Sequence, residues 1–347
     1  MEEKIRRLLK ELIEIPTPTG KERRLFPLLT RLLAQRGFQV KIYTRKEISS
    51  LVGKREGGDL LISTHIDTFA SFEQGELYVL TGKNILKGRG VIDAKGQLAS
   101  LLVALELTSR PCQVVITSDE EKKGRGSEIV PVQAQGAIVL EPTDFQICVA
   151  EAGSVEVKIE VKGKSAHGSV PEEGENAIIK AWRIYEKIKE IPSLKVSHPY
   201  FPEGGWVNVG KITGGYEPMI VPPSCTMEMD IGFVPTVSPR KILEEIKSTL
   251  KGNRIRITDI SYPFEISPQE RVVKILSKVT EQVRKRKAIL GGMRSWTDAE
   301  NFFRKGIPTV VFGAGKLALA HTERERVKLK DLSQLAEILK GVIEEWQ

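Results

Sequence analysis

Helical and strand-like hydrophobic patterns alternate along the first 150 residues. The chain opens with apolar residues at helical spacing, which predicts an amphipathic helix: Ile5, Leu8, Leu9, Leu12 and Ile13. A second helix is predicted to run to about Gln35 and a third over 95–107. Apolar runs of strand length lie at 38–43, 59–63, 113–117 and 137–140. This alternation predicts an open mixed α/β sheet with helices on both faces.

The hydrophobic pattern changes near Gly153. Valine and isoleucine alternate with charged residues over 155–162, which predicts a half-exposed strand. A helix at 175–190, strands at 206–212 and 225–233, a helix at 239–251 and a strand at 254–260 are predicted to follow. The order βαββαβ is that of a ferredoxin-like α+β domain, which we place at residues 153–262.

The α/β pattern returns after Ser267. Helices are predicted at 268–286, at 298–305 and from Leu332, with a strand at 309–312. We therefore expect one α/β domain, made of residues 1–152 and 263–347, into which the second domain is inserted.

Composition and charge narrow the function. Of the 347 residues, 40% are hydrophobic and 28% charged, which suits a folded core. The net charge of +8 fits either nucleic acid or an acidic partner. The densest basic run, 284–287, has no aromatic neighbours for stacking, so we interpret it as a solvated helix face and expect no nucleic-acid partner.

Other classes of protein are also disfavoured. The longest apolar stretch, 98–107, is too short to cross a bilayer, and the first residues carry charges where a signal peptide has an apolar core. We expect a cytoplasmic protein with no membrane partner. The three cysteines, Cys112, Cys148 and Cys225, are far apart, which favours buried thiols over a disulfide scaffold or a zinc finger.

Histidines and carboxylates gather where the predicted strands end. His65 and Asp67 end one strand and Glu141 another, and Asp93 lies in a glycine-flanked loop before a helix. Each has a structural alternative: His-x-Asp can be incidental, and Asp93 can cap the helix. The run Asp119–Glu121 follows a third strand, and either a metal, Lys122 and Lys123, or solvent compensates it.

Taken together, these residues predict a metal site. His321 follows the last strand, beyond a glycine-rich loop. Two histidines and several carboxylates on one rim of a sheet suit a pair of divalent ions, zinc above all. Such a pair clamps an attacking water and a carbonyl oxygen.

The motifs resemble those of the dinuclear zinc hydrolases that include acetylornithine deacetylase, succinyl-diaminopimelate desuccinylase, aminoacylase and glutamate carboxypeptidase. The resemblance covers nearly the whole chain, in the family's order: STHIDT, GRGVIDAKG, TSDEE, LEPT, GKSAHGSVPEEGENAI, NVGKITGG, SWTDAENFFRKGIPTVVFGAG and AHT. It also implies that the inserted domain is a lid and dimerisation domain.

The resemblance implies a role for each of these residues. His65 and Glu141 would hold one Zn2+, and Glu121 and His321 the other, with Asp93 bridging both. Co2+ or Mn2+ can replace zinc at such ligands.

The resemblance also implies how the reaction is catalysed. Asp67 would orient His65, and Glu120 would be the general base, since an unligated carboxylate must carry the proton. His167 would stabilise the oxyanion, often across a homodimer.

The substrate side of the site departs from the family. Asn208 lies in the family's asparagine-bearing strand and is a candidate substrate contact. The family commonly has an arginine after Asp-Ile in the next strand, where this chain has Gly232. Arg294 is the candidate substitute.

The sequence therefore predicts a metal-dependent hydrolase that cleaves the amide of N-acyl amino acids in amino-acid biosynthesis. Release of lysine or ornithine from an acidic amino-group carrier protein, and dipeptidase or carboxypeptidase activity on a short peptide, are the alternatives within the family. Two alternatives lie outside it, a catalytically inactive binding protein and a basic nucleic-acid-binding protein.

Overall fold

The structure is a computed structural model that describes residues 1–69 and 80–346. The chain forms two compact units. The first consists of Met1–Val149, Ile266–Met293 and Thr297–Gln347, and the second of Ala150–Glu265 with Arg294–Trp296. The roles of these units in catalysis and in lid or dimer formation stay predictions.

The helices and strands are numbered in chain order. The helices are α1 (Glu2–Ile13), α2 (Phe26–Ala34), α3 (Lys95–Leu107), α4 (Arg125–Glu128), α5 (Ala177–Lys189), α6 (Pro239–Thr249), α7 (Arg271–Arg284), α8 (Ala299–Arg304) and α9 (Leu329–Glu345). The strands are β1 (Gln39–Arg45), β2 (Ile48–Lys54), β3 (Leu60–His65), β4 (Ile85–Lys87), β5 (Gln113–Thr117), β6 (Gly136–Leu140), β7 (Ile147–Glu151), β8 (Gly153–Lys162), β9 (Trp206–Gly214), β10 (Ser224–Phe233), β11 (Arg254–Ser261), β12 (Phe264–Glu265), β13 (Leu290–Met293), β14 (Thr309–Phe312) and β15 (Arg326–Lys328).

The first unit is built on a mixed sheet with the strand order β1-β2-β5-β3-β6-β14-β7. The neighbours β5, β3, β6 and β14 run parallel, and β1 and β2 are antiparallel to their neighbours. All four parallel strands are buried along their whole length. Because parallel strands end at the same edge, the residues that follow them lie at one edge of the sheet.

Two sets of helices pack on this unit. Helix α9 contacts α1, α3 and α7, helix α1 also contacts α3, and α4 contacts α8. The mixed α/β fold predicted from the alternation is confirmed.

The sequence analysis did not predict several of the strands. The hairpin of β1 and β2 turns at Lys46 and Glu47, and Lys46 adopts a φ of +56° without being glycine or asparagine. The turn therefore lacks the usual sequence signal. Strand β7 continues almost directly into β8, so its apolar run merges with the next one.

The basic run 284–287 is not a helix face. Helix α7 ends at Arg284, because Lys285 adopts a left-handed φ of +54°. The guanidinium of Arg284 stacks 3.9 Å from the ring centre of Phe145 and pairs with Asp331 at 3.2 Å. The interpretation of this residue as solvated is therefore wrong. The three cysteines are buried free thiols, as predicted.

The second unit has the predicted βαββαβ order. Its sheet is antiparallel, with the order β11-β8-β10-β9. Strand β8 alternates between buried and more exposed residues along its length. Helices α5 and α6 contact each other, and their buried residues join the strands in one apolar core. Within the described residues of the whole chain, no helix has the length and hydropathy needed to span a membrane.

Candidate metal centre

Chemically active side chains meet at the carboxyl edge of the first sheet. His65 is the last residue of β3, Glu121 follows β5 and Glu141 follows β6. Asp93 precedes α3, and His321 lies between β14 and β15. The parallel order of these strands is what brings residues so distant in sequence together.

These side chains form two triads that share Asp93. His65, Asp93 and Glu141 each bring one ligand atom within 4.8 Å of the others, and Asp93, Glu121 and His321 do the same. Asp93 Oδ1 lies 2.8 Å from His65 Nε2, and Asp93 Oδ2 lies 3.3 Å from His321 Nε2. The two oxygens of one carboxylate therefore face two different histidines.

Hydrogen bonding determines which nitrogen of His65 is available. Nδ1 lies 3.0 Å from the main-chain carbonyl of Asp67, which only accepts, so Nδ1 carries the proton. Nε2 then faces Asp93 at 2.8 Å and Glu141 at 3.7 Å. Burial lowers the pKa of His65, but Glu120 and Glu141 raise it well above its ordinary value. A lone pair that faces carboxylate oxygens at these distances needs a proton or a metal ion between them.

The triads fit a metal because they bury excess negative charge. Burial raises the pKa of Glu141 well above its ordinary value, and Asp93 adds to this effect while His65 opposes it. Glu141 Oε1 is buried and has no hydrogen-bond partner among the described residues. Such a group is costly unless a cation compensates it. Two imidazoles and three carboxylates suit divalent ions such as zinc.

His321 also responds to this negative charge. Burial lowers the pKa of His321, but its hydrogen bonds with Asp93 and Glu121 raise it more, to about 10. The Nε2 atom lies 2.8 Å from Glu121 Oε2. The ring stacks on Phe69 with the centroids 4.6 Å apart. Without a metal, the carboxylates therefore hold a proton on this ring.

Asp67 fixes the loop that follows β5. Its Oδ1 accepts a hydrogen bond from Glu120 N at 3.3 Å, and its Oδ2 accepts one from Glu121 N at 3.1 Å. The Thr19 hydroxyl donates to the same Oδ2 at 2.9 Å. Asp67 thus contacts His65 Nδ1 through its carbonyl at 3.0 Å and through Oδ1 at 3.4 Å, and its carboxylate also positions the two adjacent glutamates.

The adjacent glutamates Glu120 and Glu121 have different surroundings. Glu121 belongs to a triad, whereas Glu120 belongs to neither triad found in the described part of the chain. Burial raises the pKa of Glu120 well above its ordinary value, and although His65 opposes this, Glu141 adds to it. A carboxylate beside a ligand set but outside it is free to exchange a proton.

One structural alternative from the sequence is wrong, and Asp119 pairs with a cation that the sequence analysis did not name. Asp93 does not cap α3, because the residue at the N-cap is Ala94 and no side chain caps that end. The cation paired with Asp119 is Arg125, in contacts of 2.7 and 2.9 Å, rather than Lys122 or Lys123. Asp119 is therefore a structural anchor of the loop.

Asp298 is a buried member of the site that the sequence analysis did not propose. Its carboxylate accepts hydrogen bonds from Thr117, at the end of β5, and from Ser127, beyond the glutamate loop. Burial raises its pKa to about 6. Asn301, three residues after Asp298, donates a hydrogen bond to Gly124 O at 3.0 Å. Asp298 thus joins the two ends of the loop that carries Glu120. The sequence signal that could have identified Asp298 was the aspartate of the SWTDAENFFRKGIPTVVFGAG motif.

His167 lies in the second unit, in an exposed loop. The main-chain N–H of Ser169 donates to His167 Nδ1 at 3.2 Å, so Nδ1 is an acceptor and the neutral ring carries its proton on Nε2. The Ser169 hydroxyl lies 2.7 Å from the same Nδ1. His198 is buried in the second unit, and its Nε2 lies 3.2 Å from Glu265 Oε2.

The region around Gly232 explains the missing arginine. A Cβ at Gly232 would lie 2.1 Å from the indole of Trp206, its partner on β9. The guanidinium of Arg294 stacks 4.6 Å from the centre of a Trp206 ring and lies 3.7 Å from Glu203. Asn208 is exposed on β9, opposite Asp230. The indole thus occupies the space that a side chain at 232 would need.

The comparison with known families identifies the chain's relatives. The model described as peptidase family M20/M25/M40 matches residues 61–345. The chain belongs to this family. The resemblance found in the motifs is confirmed, and the protein is a hydrolase of a metal-dependent family.

Individual relatives fall in the same group. The chain is 28% identical over 362 residues to an acetylornithine deacetylase of Pectobacterium carotovorum subsp. carotovorum, with 92% of this chain and 90% of that protein covered. It is 24% identical over 342 residues to a LysW-lysine/LysW-ornithine hydrolase of Sulfurisphaera tokodaii, with 95% and 92% covered.

Solved structures share the fold. A tripeptidase from Staphylococcus aureus superposes with a TM-score of 0.78 at 22% identity, covering 99% of this chain and 98% of that one. An M20 family metallo-carboxypeptidase from Sulfolobus solfataricus gives 0.78 at 17% identity, with 97% of both chains covered.

Proposed function

We propose that the protein is a two-metal amidohydrolase that removes the acyl group from N-acyl amino acids, as an acetylornithine deacetylase or succinyl-diaminopimelate desuccinylase does. The observation that carries this proposal is the pair of triads that share Asp93, with Glu120 beside them and outside both. The acetylornithine deacetylase among the relatives supports the choice of substrate class.

The residues of each triad would hold one ion. His65, Asp93 and Glu141 fit one Zn2+, and Asp93, Glu121 and His321 fit the other, with Co2+ or Mn2+ as substitutes. A bound pair of divalent ions supplies a polarised substrate carbonyl and a water of lowered pKa. The hydrogen bond from His65 Nδ1 to the main chain keeps Nε2 available as a ligand.

Glu120 would move the proton. Its carboxylate takes the proton of the attacking water and then gives it to the leaving amine. Two features support this role. Asp67 accepts a hydrogen bond from Glu120 N and so holds the backbone in place. Burial raises the pKa of the Glu120 carboxyl well above its ordinary value. A carboxylate whose pKa is raised can both accept a proton and return it.

His167 would stabilise the oxyanion. Because Ser169 occupies Nδ1, the proton on Nε2 is available to donate to a negatively charged oxygen. Asn208 and Arg294 would bind the charged end of the substrate. About half of the Arg294 side chain is exposed, which leaves donor groups available for a carboxylate.

The second unit would form a homodimer. Strand β9 is an edge of its sheet, and most of its residues are exposed. Large apolar side chains are also exposed in this unit: Ile179, Trp182, Ile212, Tyr216, Met219 and Ile220. An exposed apolar surface next to an open strand edge is typical of a protein–protein interface.

Release of lysine or ornithine from a carrier protein is the second candidate. The LysW-lysine/LysW-ornithine hydrolase of Sulfurisphaera tokodaii supports it, together with the net charge of +8. Peptidase activity on a dipeptide is a third candidate within the family. The tripeptidase likeness concerns the fold alone.

A hydrolysis panel tests the proposal. Protein stripped with a chelator and reloaded with zinc or cobalt is given acetyl-ornithine, acetyl-lysine, succinyl-diaminopimelate and dipeptides. We expect amine release only after reloading, and faster from acyl amino acids than from dipeptides. A metal-loaded protein that cleaves none of them would favour the inactive binding protein. A gel-shift titration at two salt concentrations excludes the nucleic-acid alternative if no tight, salt-sensitive binding appears.

A further inference from the structure

A basic cleft opens on the first unit beside the loops of the metal centre. We define it by the charged residues Asp144, Arg286, Lys316, Arg326 and Lys328 that line a volume of about 440 Å³. Arg284 and Asp331 also line it but neutralise each other at 3.2 Å. The rest of the lining therefore carries four positive charges and one negative charge.

The positive charges of the basic cleft have little internal compensation. Arg286, Arg326 and Lys328 have no acidic partner within 4 Å among the described residues, and all three are exposed. Lys316 faces Asp144 at 4.0 Å, where both side chains are more than half exposed. An exposed pair at this distance neutralises little charge.

A second cleft adjoins the basic cleft and extends its positive charge. A neighbouring cleft of about 280 Å³ shares Asp144 and Arg286 and adds Lys287. The cationic residues come from three separate segments, after α7, after β14 and in β15. They form a strip, and one small anion would contact only part of a strip of this kind.

The basic cleft borders the metal-binding loops. Asp144 lies three residues after Glu141, and Leu319 of the lining lies two residues before His321, which places their Cα atoms within about 11 Å and 7 Å. Arg326 follows Glu325, whose carboxylate accepts a hydrogen bond from Ile92 N at 3.1 Å in the loop that carries Asp93. A chain bound in the cleft would therefore lie close to the metal centre.

We propose that the basic cleft docks an acidic polypeptide that carries the amide to be cleaved. This proposal rests on the proposed amidohydrolase function and selects, among its substrates, those attached to an acidic protein segment. Several aspartates or glutamates of one extended chain can meet the separate cations of the strip at once. Complementary charge of this kind raises the rate of association and sets the register of the partner.

The test compares one acidic substrate with one small substrate. The probe is a synthetic decapeptide with six glutamates whose C-terminal carboxylate is joined by an amide to lysine, and the small substrate is acetyl-lysine. The variant is R286E/K328E, with R286Q/K328Q as a milder form. The control is R7E/K54E, which reverses the charge of two exposed residues. Lys54 lies beside Gln113, at the end of β5 opposite the loop that carries Glu121.

We expect R286E/K328E to lower kcat/KM for the decapeptide at least tenfold and to change that for acetyl-lysine less than twofold. The control variant should change neither value more than twofold. In the wild type, raising the salt from 50 to 300 mM should raise KM for the decapeptide alone. A loss that is equal for the two substrates, or absent for both, would overturn the docking proposal.

Binding provides a readout that does not need catalysis. A fluorescein-labelled form of the decapeptide without the lysine amide should bind the metal-loaded wild type, and R286E/K328E should weaken this binding at least tenfold. Complete displacement by millimolar inorganic phosphate would show a site for small anions and contradict the proposal. Binding with no hydrolysis of any substrate would contradict the amidohydrolase function and leave the docking surface supported.

Discussion

The sheets of the two units bury their side chains in different ways. In the first unit, β3, β5, β6 and β14 are buried on both faces. In the second unit, β8 alternates between buried residues and exposed charges, and β9 leaves most of its residues exposed. The first sheet is a buried parallel core, and the second is amphipathic with an open edge.

This difference accounts for where the chemistry lies. A strand buried on both faces has little room for a charged side chain, so the charged residues gather just beyond the strand ends, where the loops converge. On the amphipathic sheet, charges are spread over the open face and compensate one another, as Lys158 and Glu228 do at 3.1 Å. The edge of the first sheet is thus suited to hold ions, whereas the second sheet leaves a charged face and one edge strand exposed.

The largest effect on turnover is expected at Glu120, in the loop that follows β5. Replacing Glu120 with Gln should lower turnover by about 10²–10⁴-fold, because the amide cannot take the proton of the water. Metal content should stay that of the wild type, since Glu120 belongs to neither triad. Steady-state kinetics and elemental analysis measure both quantities. The exposed Glu56→Gln is the control, and loss of metal from Glu120→Gln would refute the assignment of the base.

A loss of turnover is also expected when His167, in the second unit, is replaced, and it would show that both units contribute to the chemistry. His167→Ala should lower turnover by about 10²–10³-fold, as expected when one donor to an oxyanion is removed. Metal content should not change. Ser169→Ala, which removes the hydroxyl but keeps the main-chain N–H on Nδ1, should have a smaller effect. Unaltered turnover in His167→Ala would restrict the chemistry to the first unit.

Metal affinity should depend on pH in a direction set by His321. Its pKa is raised to about 10 without a metal, so at neutral pH the ring holds a proton that an incoming ion must displace. The affinity for zinc should rise about tenfold per pH unit for each displaced proton, or about 100-fold from pH 6 to 8 for one. Competition with a chelator at three pH values measures this slope. His321→Gln should flatten it, and a flat slope in the wild type would contradict the ligand role.

A smaller effect is expected at the clamp of the glutamate loop. An Asn at position 298 keeps one acceptor oxygen, so only one of the two hydroxyl donors, from Thr117 and Ser127, stays bonded. We expect Asp298→Asn to lower turnover by about 10–100-fold, the range typical of groups that orient ligands or bases. Ser127→Ala should reproduce part of the loss. Full activity in both variants would show that the loop holds its position without the clamp.

The last expected effect concerns assembly and comes from the exposed face of the second unit. Ile212→Glu should shift the protein from dimer to monomer in sedimentation at micromolar concentration. Ile42, in the first unit, is a matched control, because its exposed fraction of 46% is close to the 45% of Ile212. A shift caused by Ile42→Glu, or none caused by Ile212→Glu, would contradict the proposed interface.

The sequence predicted the long elements because hydrophobic periodicity sets them directly. Helix α3 and strands β5 and β14 have the predicted bounds. The missed strands are short or follow turns without glycine, as at Lys46, and no local signal marks them. Their pairing depends on neighbours that are distant in sequence.

Four of the candidate ligands, His65, Asp93, Glu121 and Glu141, were also predictable, since each lies at the end of a buried strand or before a buried helix. What the sequence did not reveal was the pairing between distant residues. The clamp by Asp298 spans 171 residues to Ser127, and Arg125 rather than a neighbouring lysine pairs with Asp119. The stacking of Arg284 on Phe145, likewise, needs the two segments to meet in the fold.

The most direct test of the central claim is the position of the metals in a crystal of zinc-loaded protein. Anomalous scattering recorded on both sides of the zinc edge locates each ion and identifies it as zinc. We predict two peaks, one beside His65 and Glu141 and one beside Glu121 and His321, with one oxygen of Asp93 at each. A crystal with no zinc peak at these residues, or with a single ion that Asp93 does not contact, would contradict the account.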